Sequence, residues 1–464
     1  MKRIFLIPLI CGLLYSTQNM AQNDSGVFTY EVFISYVKQY HPVSIQSRLV
    51  AEIGELEIQK ARGSFDPLAS SEVKQKYLGG TTYYDLNQHQ VKIPTWFGIE
   101  GKAGFENNTG VFLNPENYTK SGLWYAGVTV PLGQGLFIDK RRAMLKQAKE
   151  FSRLSIAEQQ LMINNLLLDA SIAYWNWYIA YREVNINAEG LLLASDRLSA
   201  TKKWAIAGDR PFIDTLEADI QYLNRLVSLE QAQLNFNKYT YELSTFLWSE
   251  NESPLQLSDS VKPQINIPDI YLSLPVLGES MDSIKINNPL LSQLQSQRTI
   301  LSIERRFKAE MLKPQLNLSY TPLAQATGNN PFSQYSINNY TWGLNFNVPI
   351  FLRKERAELS QAKLKIKAIE QKTAQKSYEL TNKAKSNLVE INNLQRQISL
   401  YKKNVESYSR LLDAERQKLS IGESSLFLVN TREQNYLNAQ LKLAEVIAKQ
   451  QQALAGLKWT LSEW

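Results

Sequence analysis

Apolar positions along this chain follow two alternating periods. From Tyr340 to Ile369, Trp342, Leu344, Phe346 and Val348 are apolar while Gly343, Asn345 and Asn347 are not, the period of two of a strand with one greasy and one wet face. Pro349 ends that strand, and past it the spacing turns helical with no Gly or Pro until Gly422. The same construction stands 218 residues earlier, where Trp124, Ala126, Val128, Val130 and Pro131 match Trp342, Leu344, Phe346, Val348 and Pro349. A strand that stops at a proline and runs into a very long helix is therefore built twice.

The pattern predicts a helix over Phe28 to Arg62, broken near His41 by Pro42. Strands follow at about 68–78 and 123–130. Between them, Gly79 to Ser121 is rich in Gly, Asn, Thr and aromatics and reads as a long loop with room for a hairpin of its own. A helix from about Ile138 to Ile206 spans roughly 100 Å at 1.5 Å per residue. The turn Ala207 to Pro211 reverses it into a shorter helix ending near Ser249, and the proline-bearing stretch 251–277 is a linker.

Then the plan repeats. Asn288-Pro289 answers His41-Pro42 and Lys313-Pro314 answers Asp66-Pro67, both at an offset of 247; the offset falls to 218 after the next loop and to 214 at Gly422, which answers Gly208. Offsets that change only at loops mark an internal duplication, with repeats at 22–250 and 278–464 and second-half strands at about 315–321 and 341–348. In each half two short helices together match one long one, so the pair stacked end to end beside it makes a double-stranded wall. Ile391, Ile398, Val405, Leu412 and Leu419 add a heptad seam. The other faces of that helix are polar, as in the wall of a water-filled tube.

The chain opens with Lys2, Arg3 and an apolar run from Ile4 to Leu14, the layout of a signal peptide over residues 1–21. The one cysteine, Cys11, lies within it, so disulfides and thiol chemistry are not expected beyond it. Past the signal, 49 Lys and Arg against 44 Asp and Glu is too mild a balance to argue for nucleic acid. No later run is apolar enough for a membrane helix, so entry into a membrane requires strands in a closed barrel. Trp124, Val128, Val130, Trp342, Leu344, Phe346 and Val348 are then the lipid-facing set. Four strands cannot close a barrel, which demands oligomerisation.

The two strand-helix repeats, the junctions at Pro131 and Pro349 and the hairpin turns at Gly208 and Gly422 resemble the TolC-type outer-membrane efflux and secretion channels. The resemblance implies a mainly helical fold with β structure: a long α-helical coiled-coil barrel, plus four strands per chain in a shared trimeric 12-stranded outer-membrane β-barrel. It implies a homotrimer of the cell outer membrane with a large periplasmic part, working with a periplasmic adaptor protein and an inner-membrane pump. The tips that dock the adaptor and gate the tunnel would then be Ile206 to Phe212 and Ser420 to Leu426. Gly208, Asp209, Arg210 and Asp214 lie on or beside the first, and Gly422, Glu423, Ser424, Leu428, Thr431 and Arg432 on or beside the second. Asp214 matches an aspartate that other members link to an arginine of the second hairpin. Here that position is Ser424, and Leu428 and Thr431 replace an acidic ring. Closure is expected to be apolar, through Leu426, Phe427 and Leu428, or to involve Glu423 and Arg432.

His41 and His89 lack metal-ligand spacing, and no cofactor is implied. Neither a phosphate-binding glycine loop nor a hydrolase motif stands out, so no enzyme is expected. The rival reading is a periplasmic coiled-coil scaffold or adaptor outside the membrane.

Overall fold

The computed structural model describes residues 26–119, 121–258, 260–268, 288–325 and 336–464. The signal segment, with Cys11, and much of the linker lie outside these residues.

Helices α1 (Tyr30–Tyr40) and α2 (Pro42–Gly63) are separated at His41. Pro42 has no N–H to give to a continuing helix, and the His41 ring instead accepts from Val43 N at 3.2 Å, capping α2. Helix α3 (Lys140–Ala207) is 68 residues long and α4 is Phe212–Ser244; in the second half α5 (Pro289–Glu310), α6 (Arg353–Ser420, again 68 residues) and α7 (Leu426–Leu461) follow. Asn288 caps α5 as His41 caps α2, accepting from Leu290 N at 3.0 Å ahead of a proline. The duplication thus extends to the cap.

Helices α2 and α4 both pack along α3, α5 and α7 both pack along α6, and α3 joins the halves by packing on α5 and α7. Each chain therefore builds a wall four helices wide and about 100 Å long, ordered α2 with α4, α3, α5 with α7, then α6. Alanines at 143, 148, 157, 170, 173, 180 and 194 are buried on α3, which lets neighbours approach it from both sides. The heptad seam sits where its spacing puts it, with Ile391, Leu394, Ile398 and Leu412 buried. The largest core is aromatic and equatorial: Phe33, Tyr174, Trp175, Trp177 and Tyr178 with Leu243 and Ala448. Burial pushes the Tyr30 hydroxyl up to about 12 there, against a 2.8 Å hydrogen bond to Ser171.

The short strands β1 (Val27–Phe28) and β6 (Lys262–Pro263) pair in parallel beside this core. All other strands form one antiparallel sheet: β2 (Leu68–Leu78), β3 (Thr81–Pro94), β4 (Glu100–Thr109), β5 (Leu123–Pro131), β7 (Gln315–Gln325) and β8 (Tyr340–Asn347), in that spatial order. Two expectations are corrected. The hairpin allowed for within 79–121 occupies residues 81–109 and is not a loop feature, because its two strands are inserted into the sheet between β2 and β5. Four strands per chain accordingly become six in the sheet of the described residues, so the count of twelve for a trimer does not follow from this sheet.

Among the described residues no helix is long and apolar enough to cross a membrane.

Candidate functional site

The far end of the wall from the sheet carries the two helical turns. In the first, Gly208 adopts φ +83° and the next N–H, of Asp209, reaches back to Trp204 O at 2.9 Å. In the second, Gly422 adopts φ +81° and Glu423 N reaches Lys418 O at 2.9 Å. Both are glycine caps in the left-handed region, where an L side chain is strained although open space surrounds each one.

Asp214 does not reach the second hairpin of its own chain. Its carboxylate lies 3.8 Å from Arg210 in the first turn of α4, and the Arg210 guanidinium sits 6.0 Å from the Trp204 ring centre. Ser424 donates to Glu415 at 2.5 Å, and Arg432 Nε lies 3.6 Å from that same carboxylate without a hydrogen-bond partner. Thr431 bonds to Phe427 O within its own helix, at 2.9 Å. Leu426 is buried, whereas Phe427 is 68 % exposed and Leu428 partly so. Ile206, Phe212, Ile213 and Ile421 are exposed on the tips as well.

The strongest charge constellation lies just above these turns and was not among the expected residues. Glu433 of α7 is 1 % exposed, and three arginines converge on it: Arg197 of α3 in direct contact, Arg225 of α4 at 3.8 Å and Arg416 of α6 at 3.8 Å. Arg197 also donates to Asn430, whose amide reaches Glu217 at 3.3 Å. One carboxylate thus ties together all four helices of the wall. Burial lowers the Arg225 guanidinium below its ordinary range, Glu433 opposes that shift and Arg197 adds to it. Gly190 makes the approach of α7 feasible, since a Cβ there would sit 2.8 Å from Leu437. In sequence these are ordinary charged helix residues, and only their burial between helices sets them apart.

At the other end, the expected lipid-facing residues share one sheet face. Register pairs Val128 with Tyr320, Val130 with Leu318, Tyr320 with Trp342, Leu318 with Leu344 and Leu316 with Phe346. Directly opposed residues point the same way. Trp124, Val128, Trp342, Leu344 and Phe346 are exposed; Val130 is half-buried near the end of β5, and Val348 lies just past β8.

A helical wall of about 100 Å joined to an antiparallel sheet is the fold of solved outer-membrane channels. The chain is similar to the CmeC outer membrane channel of Campylobacter jejuni, with TM-score 0.63 and 14 % identity over 93 % of this chain and 84 % of that one. It is similar also to the outer membrane protein VceC of Vibrio cholerae, with TM-score 0.66 and 14 % identity over 93 % and 95 %. The open MtrE outer membrane channel of Neisseria gonorrhoeae aligns with TM-score 0.65 and 14 % identity over 92 % and 88 %. No curated protein matches in sequence. Residues 281–461, which make up nearly all of the second repeat, match the outer membrane efflux protein family.

Proposed function

We propose that three copies of this chain form the outer-membrane duct of a tripartite efflux pump or type I secretion system. The duct is passive and gated, running from periplasm to exterior, and an inner-membrane pump supplies the energy through a periplasmic adaptor. The observation that carries this reading is the single-chain sheet itself: its outer face is apolar over β5, β7 and β8, and among the described residues its two edge strands, β2 and β8, have no partner within the chain. Such edges pair with something or aggregate, and β2 leaving the helices is antiparallel to β8 returning to them, so adjacent copies join edge to edge. A helical seam supports the same assembly. Leu216, Ile220, Leu223, Val227, Leu234 and Tyr241 are exposed along α4 at heptad spacing, on the outer edge of the wall where the next copy's α6 would lie.

The exposed apolar tips are the adaptor's docking surface, and the Glu433 cluster holds the four helices above them in the closed arrangement. Adaptor binding opens the tip only as far as it prefers the splayed form over the closed one. The scaffold alternative leaves the apolar sheet face without a purpose.

The test is the detergent-corrected mass of protein extracted from purified outer membranes. Three chains per particle are expected. A monomer, or protein recovered only from the soluble periplasmic fraction, overturns the reading.

A further inference from the structure

We propose that the inserted hairpin β3–β4 is membrane wall, so that a trimer closes a barrel of eighteen strands, six from each copy, flaring above a helical tunnel. The inference rests on the homotrimeric outer-membrane reading above and adds to it the shape of the exit.

Residues 81–109 are 29 residues, the same number by which the repeat offset falls between the first loop of each half. The hairpin is therefore a discrete insertion in the first repeat. Its strands are 14 and 10 residues long, and about 9–11 residues span a bilayer at barrel tilt. The strand β3 pairs with β2 along all of Leu68–Leu78, and β4 pairs with β5 from Glu100 to Glu106. The sheet is continuous through the insert.

The insert also reaches the helical end. Its turn docks against the start of α3, where Arg141 contacts Glu100 at 3.3 Å and a Cβ on Gly98 would lie 2.9 Å from Arg142. Exposed Trp96 and Phe97 in that turn stand at the same end of the sheet as exposed Phe137 and Phe351, which follow β5 and β8. Aromatic belts at this height mark a membrane interface.

Register places Val91, Ile93, Ala103 and Phe105 on the face of Trp124 and Ala126, with Phe105 and Trp124 rings 4.9 Å apart; farther from the helices His89, bonded to Ser71 at 2.8 Å, and Asn87 and Asn107 share that face. The opposite face of the same strands carries Gln90, Lys92, Lys102 and Glu106. An apolar depression of about 720 Å³ runs over the outer face from Ala69 through Val91 and Ala103 to Ala324, so the insert and its neighbours offer lipid one surface.

Barrel diameter grows roughly in proportion to strand number, so eighteen strands open a mouth about half as wide again as twelve. The helical wall does not widen with it, because β3 and β4 end in a turn and feed no helix. Whatever limits passage then lies in the tunnel and at its tips, not at the outer mouth.

Cys11 is the only cysteine, so single thiols can be introduced in a C11A background and read in reconstituted vesicles with two probes. One is a charged maleimide; the other is a neutral fluorescent maleimide whose emission brominated lipid quenches. V91C and A103C should escape the charged reagent and lose fluorescence to brominated lipid, whereas K92C and K102C should react with the charged reagent and stay bright. L344C and N345C on β8 provide the reference pair. If β8 alternates while V91C and A103C react like K92C and K102C, the insert lies outside the wall and the eighteen-stranded barrel is overturned, with the channel reading intact. If β8 itself does not alternate, the outer-membrane reading fails, and the barrel with it.

Discussion

The two repeats of this chain share every junction and differ in the sheet. Both start a helix at a proline behind a side-chain cap, both turn the long hairpin on a left-handed glycine, and both run from a strand past a proline into a 68-residue helix. In the second repeat β7 and β8 are neighbours; in the first, β2 and β5 are held apart by a hairpin. The difference shows where such a fold accepts growth. A helical wall has fixed width because each helix must fit its neighbours' grooves, whereas an antiparallel sheet takes two more strands if their faces alternate and their count stays even. The charge cluster differs in the same way. The position matching Glu433 in the first repeat is Asp219, which is only half-buried, so the tie across four helices exists once per chain.

That asymmetry gives the largest expected effect. Removing one partner of a buried ion pair costs about 3–5 kcal/mol, so E433A should lower the denaturation midpoint steeply, while D219A should stay within about 1 kcal/mol of the parent. Equal losses from the two would mean that Glu433 is not the tie. The sheet comparison is sharpened next by arginine. F346R in the second repeat and A103R in the insert should each lose about 2–4 kcal/mol of folding free energy in bilayers. K102Q, facing the lumen, should lose little. Insensitivity of A103R alongside a sensitive F346R would separate the insert from the wall.

The glycine turns should respond alike. G208A and G422A each force an L side chain into the left-handed region at about 1–2 kcal/mol, measurable as matched shifts in unfolding temperature. The smallest effect concerns the paired caps. Burial holds the His41 ring below its ordinary pKa, although a hydrogen bond to the Thr245 backbone works the other way. The folded state therefore prefers neutral histidine, and its contribution to stability is present above the usual histidine range and lost as pH falls below it. H41N, which copies the cap at Asn288, should flatten that dependence between pH 7.5 and 5.

The helices, their break at His41, both glycine turns and the duplication were legible because long periodic runs and prolines act locally. Strands β5, β7 and β8 were legible from clean alternation. The insert was legible only as room for a hairpin, because its outer face relies on Gly101, Ala103 and Asn107 in β4, small or polar residues that blur a period of two. Trp96 and Phe97 fall within the stretch whose pattern reads as loop, yet they lie in a turn at the helical end of the sheet. At the tips, sequence located the turns but not Arg197, Arg225, Arg416 or Glu433. Charged residues on long helices are ordinarily solvated, and nothing in their spacing reveals which ones another helix will cover. Asp214 illustrates the converse, a residue matched by position whose partner within the chain is its own neighbour Arg210.

The central claim is a shared barrel made by three copies, with the helical wall on one side of it. It is tested most directly by imaging the purified protein in a lipid nanodisc at a resolution that separates strands. The account predicts three chains, one closed wall within the bilayer containing six strands from each, and a single tunnel below it. A particle whose sheet stands outside the bilayer, or that contains one chain, would contradict it.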